Sequence, residues 1–426
     1  MGHVRLGILI LLVFSLFSIT SCKDQSIIDG KPMRLSDNPD VKEEVIIWHT
    51  FSEEETNIFN NYIIPAFEKE FSSIEVTPVR QAYNEELRSA IIARASTNNP
   101  PDVVRMDIAW LPKFAQLDLL YPVSSLNEFN NIKDNLYDGP LQANLYQGKY
   151  YGVPLNTNTK VALYNKKLLE TANIKELPET MEELIDIVVK NDFVIGVDDL
   201  SPWETYHYFN GLGGVLLDPT NTRASGYLDS DASIKAVKKF LSLYKNGNFT
   251  PNLFDNPNTW EGVLDKTYFM IDEGPWFYSV NTLEKINFIN ELTMSSPFPI
   301  TDGKRAVLGG ESLVITKGTE HLEASWTFVN WMTSITPQTY LANTGLIPSN
   351  KNVDLSLFHE KYPYYEAYVA GMDEAMPRPP LAEWSQIQEI YINYLKQILT
   401  EKISVELGLS KAAKEMDEIL QKEKGR

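Results

Sequence analysis

The sequence predicts an α/β protein of two domains, each a mostly parallel sheet flanked by helices. Two observations carry this. Strand-like and helix-like segments alternate along most of the chain, which is the mark of strand–helix–strand units. The chain of 426 residues is also too long for one hydrophobic core, so it should divide.

The elements follow in order. Val45-Ile46-Ile47-Trp48 reads as a buried strand. Ser52-Glu53-Glu54-Glu55 is a capping box that opens a helix. Ile58, Phe59, Tyr62, Ile63 and Phe67 recur along it at helical spacing, and Pro65 should kink it. Ile74–Thr77 alternates like a strand, Glu85–Ala95 is helical, and Asp102–Met106 is a short strand before a helix near Trp110–Leu117. A second region starts near Val161–Tyr164. It holds a capping box at Thr180–Glu183, strands at Phe193–Val197 and Tyr268–Ile271, and an amphipathic helix at Ile234–Tyr244. The glycines at 211, 213 and 214 follow an aromatic helix and read as its stop. A strand at Val307–Ile315 and a helix at Leu322–Met332 come next, and the last ~45 residues read as helices only.

The N-terminus carries a different message. Arg5 leads into the apolar run Leu6–Phe17, and small polar residues precede Cys22, the only cysteine. A basic start, an apolar centre and small residues describe a secretory signal. The run is shorter than the roughly 20 residues of a membrane span. Ile19-Thr20-Ser21-Cys22 resembles a bacterial lipobox, in which the thiol is acylated and becomes the new N-terminus. A plain secreted protein with a free cysteine is the simpler alternative. Residues 22–41 are polar and aperiodic, as a flexible tether would be.

Charge and composition exclude several classes. The formal net charge is −19, which repels nucleic acid and anionic lipid. Five dispersed histidines and one cysteine make no metal-binding pair of recognisable spacing. No nucleophile elbow, phosphate loop or dinucleotide fingerprint occurs. No cofactor is expected. Adjacent carboxylates such as Asp198-Asp199 read as solvated surface charge, though a glycosidase needs no fixed spacing between its two acids.

Tyr151-Gly152-Val153-Pro154 followed by Leu163-Tyr164-Asn165-Lys166-Lys167-Leu168-Leu169 is the most diagnostic stretch. With Pro100–Val103, Leu119–Pro122, Ile271–Trp276, Leu308–Leu313, Ala324–Val329 and Thr344–Pro348 in the same order, it resembles the extracellular solute-binding proteins of family 1, the maltose-binding-like components of ABC importers. The resemblance covers roughly residues 45–350. It implies a two-lobed periplasmic-binding-protein-like fold joined by a multi-segment hinge. Lobe one would take 42–155 and 305–345, and lobe two 157–300 and 350–426, with crossings near Asn156, Thr301 and Asn350. It also implies a monomer, tethered outside the cytoplasm by lipid, that binds a small solute in the inter-lobe cleft and passes it to the membrane subunits of an ABC permease.

A neutral sugar offers apolar faces and a rim of hydroxyls, which aromatic rings and planar polar groups can match. Residues at strand ends face such a cleft. On lobe one these are Trp48, His49, Thr50, Phe51, Asp107 and Trp110. On lobe two they are Trp203, Glu204 and Trp276, joined by Gly310 and Glu311 near a crossing and by Arg378 and Trp384 after a proline-rich turn. The family uses residues from these same segments, Trp276 and Arg378 foremost. Each has a plainer role as well. Trp48 serves equally as core, Trp276 as lobe packing, Asp107 as a helix cap, and Arg378 as the partner of a surface carboxylate. Trp326, Phe328 and Trp331 read as packing, and the tyrosines at 362, 364, 365 and 368 as packing or lobe closure. A sugar or oligosaccharide is the expected ligand. The alternatives are a secreted glycan-active hydrolase, with Glu204 or Glu311 as its acid, and a same-fold receptor for a non-sugar solute or for signalling.

Overall fold

The computed structural model describes residues 42–424 apart from 97–98, 252–257, 301–304, 359–360 and 373. Cys22 and the tether lie outside the described residues. Two separate sheets organise the chain. One is built from β1 (Glu43–His49), β2 (Ile74–Arg80), β3 (Val103–Asp107), β4 (Val153–Asn158), β10 (Gly309–Ile315) and β11 (Ile347–Pro348). The other contains β5 (Val161–Asn165), β6 (Ile195–Val197), β7 (Phe249–Pro251), β8 (Met270–Glu273) and β9 (Thr293–Pro297). The spatial orders are β11-β4-β10-β3-β1-β2 and β9-β5-β8-β6-β7.

The alternation of strand and helix foresees the parallel part of each sheet, β3-β1-β2 and β8-β6-β7. The remaining strand pairs are antiparallel, so both sheets are mixed rather than mostly parallel. The antiparallel strands are those next to the passages between the sheets. A chain that leaves a sheet and later returns is not bound to the same-direction geometry of a helical crossover.

The first passage is at Thr159–Lys160, between β4 and β5. Asn156, expected at the crossing, instead lies inside β4 opposite Glu311. The polar run Asn156–Asn158, near the expected crossing, is sheet, because its backbone pairs with β10 on one side and β11 on the other. The chain returns between β9 and β10, where Thr301 lies outside the described residues. It leaves β11 a last time at Ser349–Asn350, both buried.

Local signals fold as read. Ser52 and Glu55 close the first capping box, and Thr180 and Glu183 the second. Pro65 follows a π turn at Phe59–Ile63, since proline has no N–H for the carbonyl four residues back. The aromatic helix ends at Gly211.

Each sheet has its own core. On β5, Ala162 and Tyr164 face a cluster closed by the C-terminal helices Trp384–Leu399 and Val405–Lys424. Val161 and Leu163 face the opposite cluster, which holds Tyr362, Tyr364, Tyr365 and Tyr368. Those tyrosines are therefore packing. Trp326 and Trp331 are too, each donating its indole N–H, to Asn127 O at 2.8 Å and Glu70 at 2.9 Å.

Candidate functional site

A cleft of about 680 Å³ opens between the two sheets. Nine of the expected residues line it: Thr50, Asp107, Trp110, Trp203, Trp276, Gly310, Glu311, Arg378 and Trp384. Strand ends supply the first group. Asp107 closes β3, and its carboxylate accepts the N–H of Ala109 at 2.6 Å in a tight turn. It is thus a turn residue and not the cap of the helix Leu111–Gln116, whose N-cap is Trp110. The hydroxyl of Tyr83 donates to Asp107 at 2.7 Å, and the Tyr83 ring stacks on Trp110 at 5.3 Å. Burial and the Asp107 charge push the Tyr83 phenol up, so it stays a donor.

The opposite wall is aromatic. Trp203 and Trp276 lie 5.9 Å apart and tilted by 34°. Trp276 folds back over Gly274, where a Cβ would meet its ring at 2.2 Å. The Gly-Pro-Trp order is thus a steric condition for that ring position. Arg378 has its guanidinium carbon 5.4 Å from the centre of the Trp203 ring, a cation–π distance.

Two ion pairs, Arg105 with Glu311 and Arg378 with Asp107, tie charges of the cleft together. Arg105 donates to Glu311 at 2.9 Å, to Thr50 at 2.7 Å and to Asn156 at 3.0 Å, while Asn156 donates to Glu311 at 2.6 Å. Burial raises the Glu311 carboxyl, and Arg105 opposes that. Gly310 beside it has φ +131°, and a Cβ there would strike the Asn156 carbonyl at 2.4 Å. Four buried polar atoms of the lining residues have no protein partner: Arg105 Nε, Asn158 Oδ1, Arg378 Nε and Trp384 Nε1. A buried polar atom left unpaired is costly, so these atoms suit a polar ligand.

Four expected residues lie elsewhere. Trp48 is core, among Leu87, Val104 and Met106. His49 is buried against Phe51 and Phe59 and is pushed down to about 4 by burial and by Arg105. Phe51 is 1% exposed and borders only an adjoining recess of about 270 Å³. Glu204 points away from the cleft to Lys160. Strand alternation sends consecutive residues to opposite faces, so a run such as Trp48–Phe51 cannot all face one cleft.

Sequence reasoning missed Tyr83, Arg88, Arg105 and Asn158. Tyr83 follows β2 as Asp107 ends β3, so the strand-end rule could have found it. Arg105 sits within a strand and Asn158 in a polar run near the expected crossing, and neither has a local signal. A larger groove of about 1070 Å³, carrying Glu176, Glu179, Glu183 and Asp186, lies on the second half of the molecule and is lined by no ring. Among the described residues no group of His, Cys, Asp and Glu could hold a metal ion, and no helix is long and apolar enough to cross a membrane.

The sequence pattern of the bacterial extracellular solute-binding proteins matches residues 63–367. The chain belongs to this family. The solute-binding protein is 25% identical over 311 residues to a maltotriose-binding protein of Pyrococcus abyssi, covering 68% of this chain and 62% of that one. It is 24% identical over 268 residues to a maltooligosaccharide ABC transporter solute-binding lipoprotein of Streptococcus pneumoniae, covering 58% of this chain and 60% of that one. The fold is that of a cyclic α-maltosyl-1,6-maltose binding protein from Arthrobacter globiformis, with a TM-score of 0.77, 18% identity, and coverage of 89% of this chain and 100% of that one. These relatives of the solute-binding protein are binding proteins.

Proposed function

We propose that this solute-binding protein is the lipid-anchored, extracytoplasmic receptor of an ABC importer and takes a neutral sugar or oligosaccharide into the cleft. One observation carries the reading: aromatic faces and unpartnered polar atoms converge on the same space. The rings of Trp110, Trp203 and Trp276 offer flat apolar surfaces. Asn158 Oδ1, Arg105 Nε, Arg378 Nε and Trp384 Nε1 offer one acceptor and three donors for hydroxyls. Arg105 and Glu311 neutralise one another, as do Arg378 and Asp107, which favours an uncharged ligand. The maltotriose and maltooligosaccharide relatives add support from outside the chain.

Binding without turnover is the simplest role for this cleft. Glu204 is held by Lys160 outside it, and Glu311 and Asp107 are each tied to an arginine. A solute that bridges the halves favours the closed arrangement by its extra contacts there. Acylation of Cys22 would keep the receptor beside its permease and raise the local concentration. Stable anchoring takes more than one acyl chain.

The test is a thermal-shift and calorimetric screen with mono- and oligosaccharides, maltotriose among them. A ligand present at 100 times its Kd stabilises the fold by about 2.7 kcal/mol. Chromatography of the incubated sugar should show no product. No shift with any carbohydrate, together with a shift from a polyamine, would refute the sugar reading.

A further inference from the structure

A lysine occupies the first passage between the sheets, and it is fully buried. Lys160 lies between the last residue of β4 and the first of β5, with none of its side chain exposed. An ammonium in a dry interior needs counter-charges. Two carboxylates supply them. Lys160 Nζ bonds Glu204, and it stands 2.8 Å from Asp272 Oδ2. Asp272 is further held by the Tyr208 hydroxyl at 2.7 Å, and His207 Nε2 lies 3.1 Å away.

The positions of those carboxylates matter. Glu204 is next to Trp203 in the first turn of the helix Pro202–Gly211. Asp272 stands on β8, just before the Gly274-Pro275-Trp276 turn. Glu273, the residue after Asp272, accepts from the Trp260 indole at 2.8 Å and the Gly274 N–H at 2.9 Å. The ammonium itself sits 5.7 Å from the centre of the Trp203 ring. One cation therefore joins the passage between the sheets to both elements that carry the paired tryptophans of the cleft. Apolar side chains of similar volume would pack the same space at least as stably, so simple packing does not account for a charge here.

We propose that Lys160 is a positioning residue that registers Trp203 and Trp276 against the passage between the sheets, and so sets ligand affinity without touching the ligand. The affinity part rests on the sugar-binding reading. Lys160→Met alone strands two carboxylates and should destabilise the fold. The decisive variant is Lys160→Met with Glu204→Gln, which removes one charge of each sign and leaves Asp272 its Tyr208 and His207 partners. We expect it to melt cooperatively, to show altered near-ultraviolet tryptophan dichroism without ligand, and to bind maltotriose about tenfold or more weakly. Glu204→Gln alone keeps a hydrogen bond for Lys160 and should stay within about threefold of the parent. A folded double variant with parental dichroism and affinity overturns the proposal. So does a Glu204→Gln loss equal to that of the double variant. If the parent binds no carbohydrate of the screen, the sugar reading is what fails, and the ligand-free dichroism still decides the role of Lys160.

Discussion

Arg378 reaches Asp107 across the cleft, with Nη2 3.1 Å from Oδ1. Asp107 ends β3 of one sheet, and Arg378 leads into the helix Trp384–Leu399, which packs on the core of the other. The same guanidinium covers Trp203. Charge pairing and an aromatic wall therefore meet in one side chain, and a second ion pair, Lys113 with Glu383 at 2.8 Å, joins the helix Leu111–Gln116 to the start of the helix Trp384–Leu399.

Arg378→Leu should weaken sugar binding by about 1.5–3 kcal/mol, the scale of a charge-assisted hydrogen bond lost beside a half-buried carboxylate. Calorimetry of Arg378→Leu, Asp107→Asn and the double variant gives the coupling between them. Additive losses would mean that the pair does not act as a unit.

Trp203→Ala and Trp276→Ala should each cost about 2 kcal/mol of binding, as central aromatic anchors do. Trp48→Phe is the contrast. Its ring lies in the core, so the denaturation midpoint should fall while affinity stays unchanged. Equal affinity losses at Trp48 and Trp276 would erase the distinction between core ring and cleft ring.

Stability should decline as pH rises above 6.5. Burial raises Glu273 to about 7, against an ordinary value of 4.5. The folded chain thus holds a proton that the unfolded chain has released, and the stability this provides is lost as pH climbs through the folded value. Burial lowers His49 to about 4 and also lowers His207, from an ordinary 6.5. They act in the opposite sense, but only below pH 6.5. The Glu273 carboxyl contributes at most about 1.4 kcal/mol per pH unit. Melting temperatures from pH 6.5 to 7.5 should fall for the parent and fall less for Glu273→Gln. Identical slopes would contradict the raised carboxyl.

Thr180→Ala should cost about 1 kcal/mol of stability, because it removes the side-chain acceptor for the Glu183 N–H at 3.0 Å. Urea midpoints check this, and sugar affinity should be untouched, since Thr180 caps the helix Met181–Lys190 and is not among the lining residues.

Much of the fold was legible because its signals are local. Capping boxes, helical spacing and strand–helix alternation each act over a few residues. The rings of the cleft were legible in part for the same reason: Trp110 and Trp276 follow strands, and Trp276 follows a turn-forming Gly-Pro. The run Trp48–Phe51 was over-read, since position at a strand end does not tell which face a side chain takes.

By itself the sequence determined the α/β character, the helix starts and the segments that supply rings to a cleft, because each depends on neighbours in the chain. Tertiary structure alone decided that Asn156–Asn158 is sheet, that Glu204 turns away to Lys160, and that Arg378 meets Asp107 from 271 residues away. Those outcomes rest on which buried charges and edges find partners, and such partners are brought together only when the two sheets come to face each other.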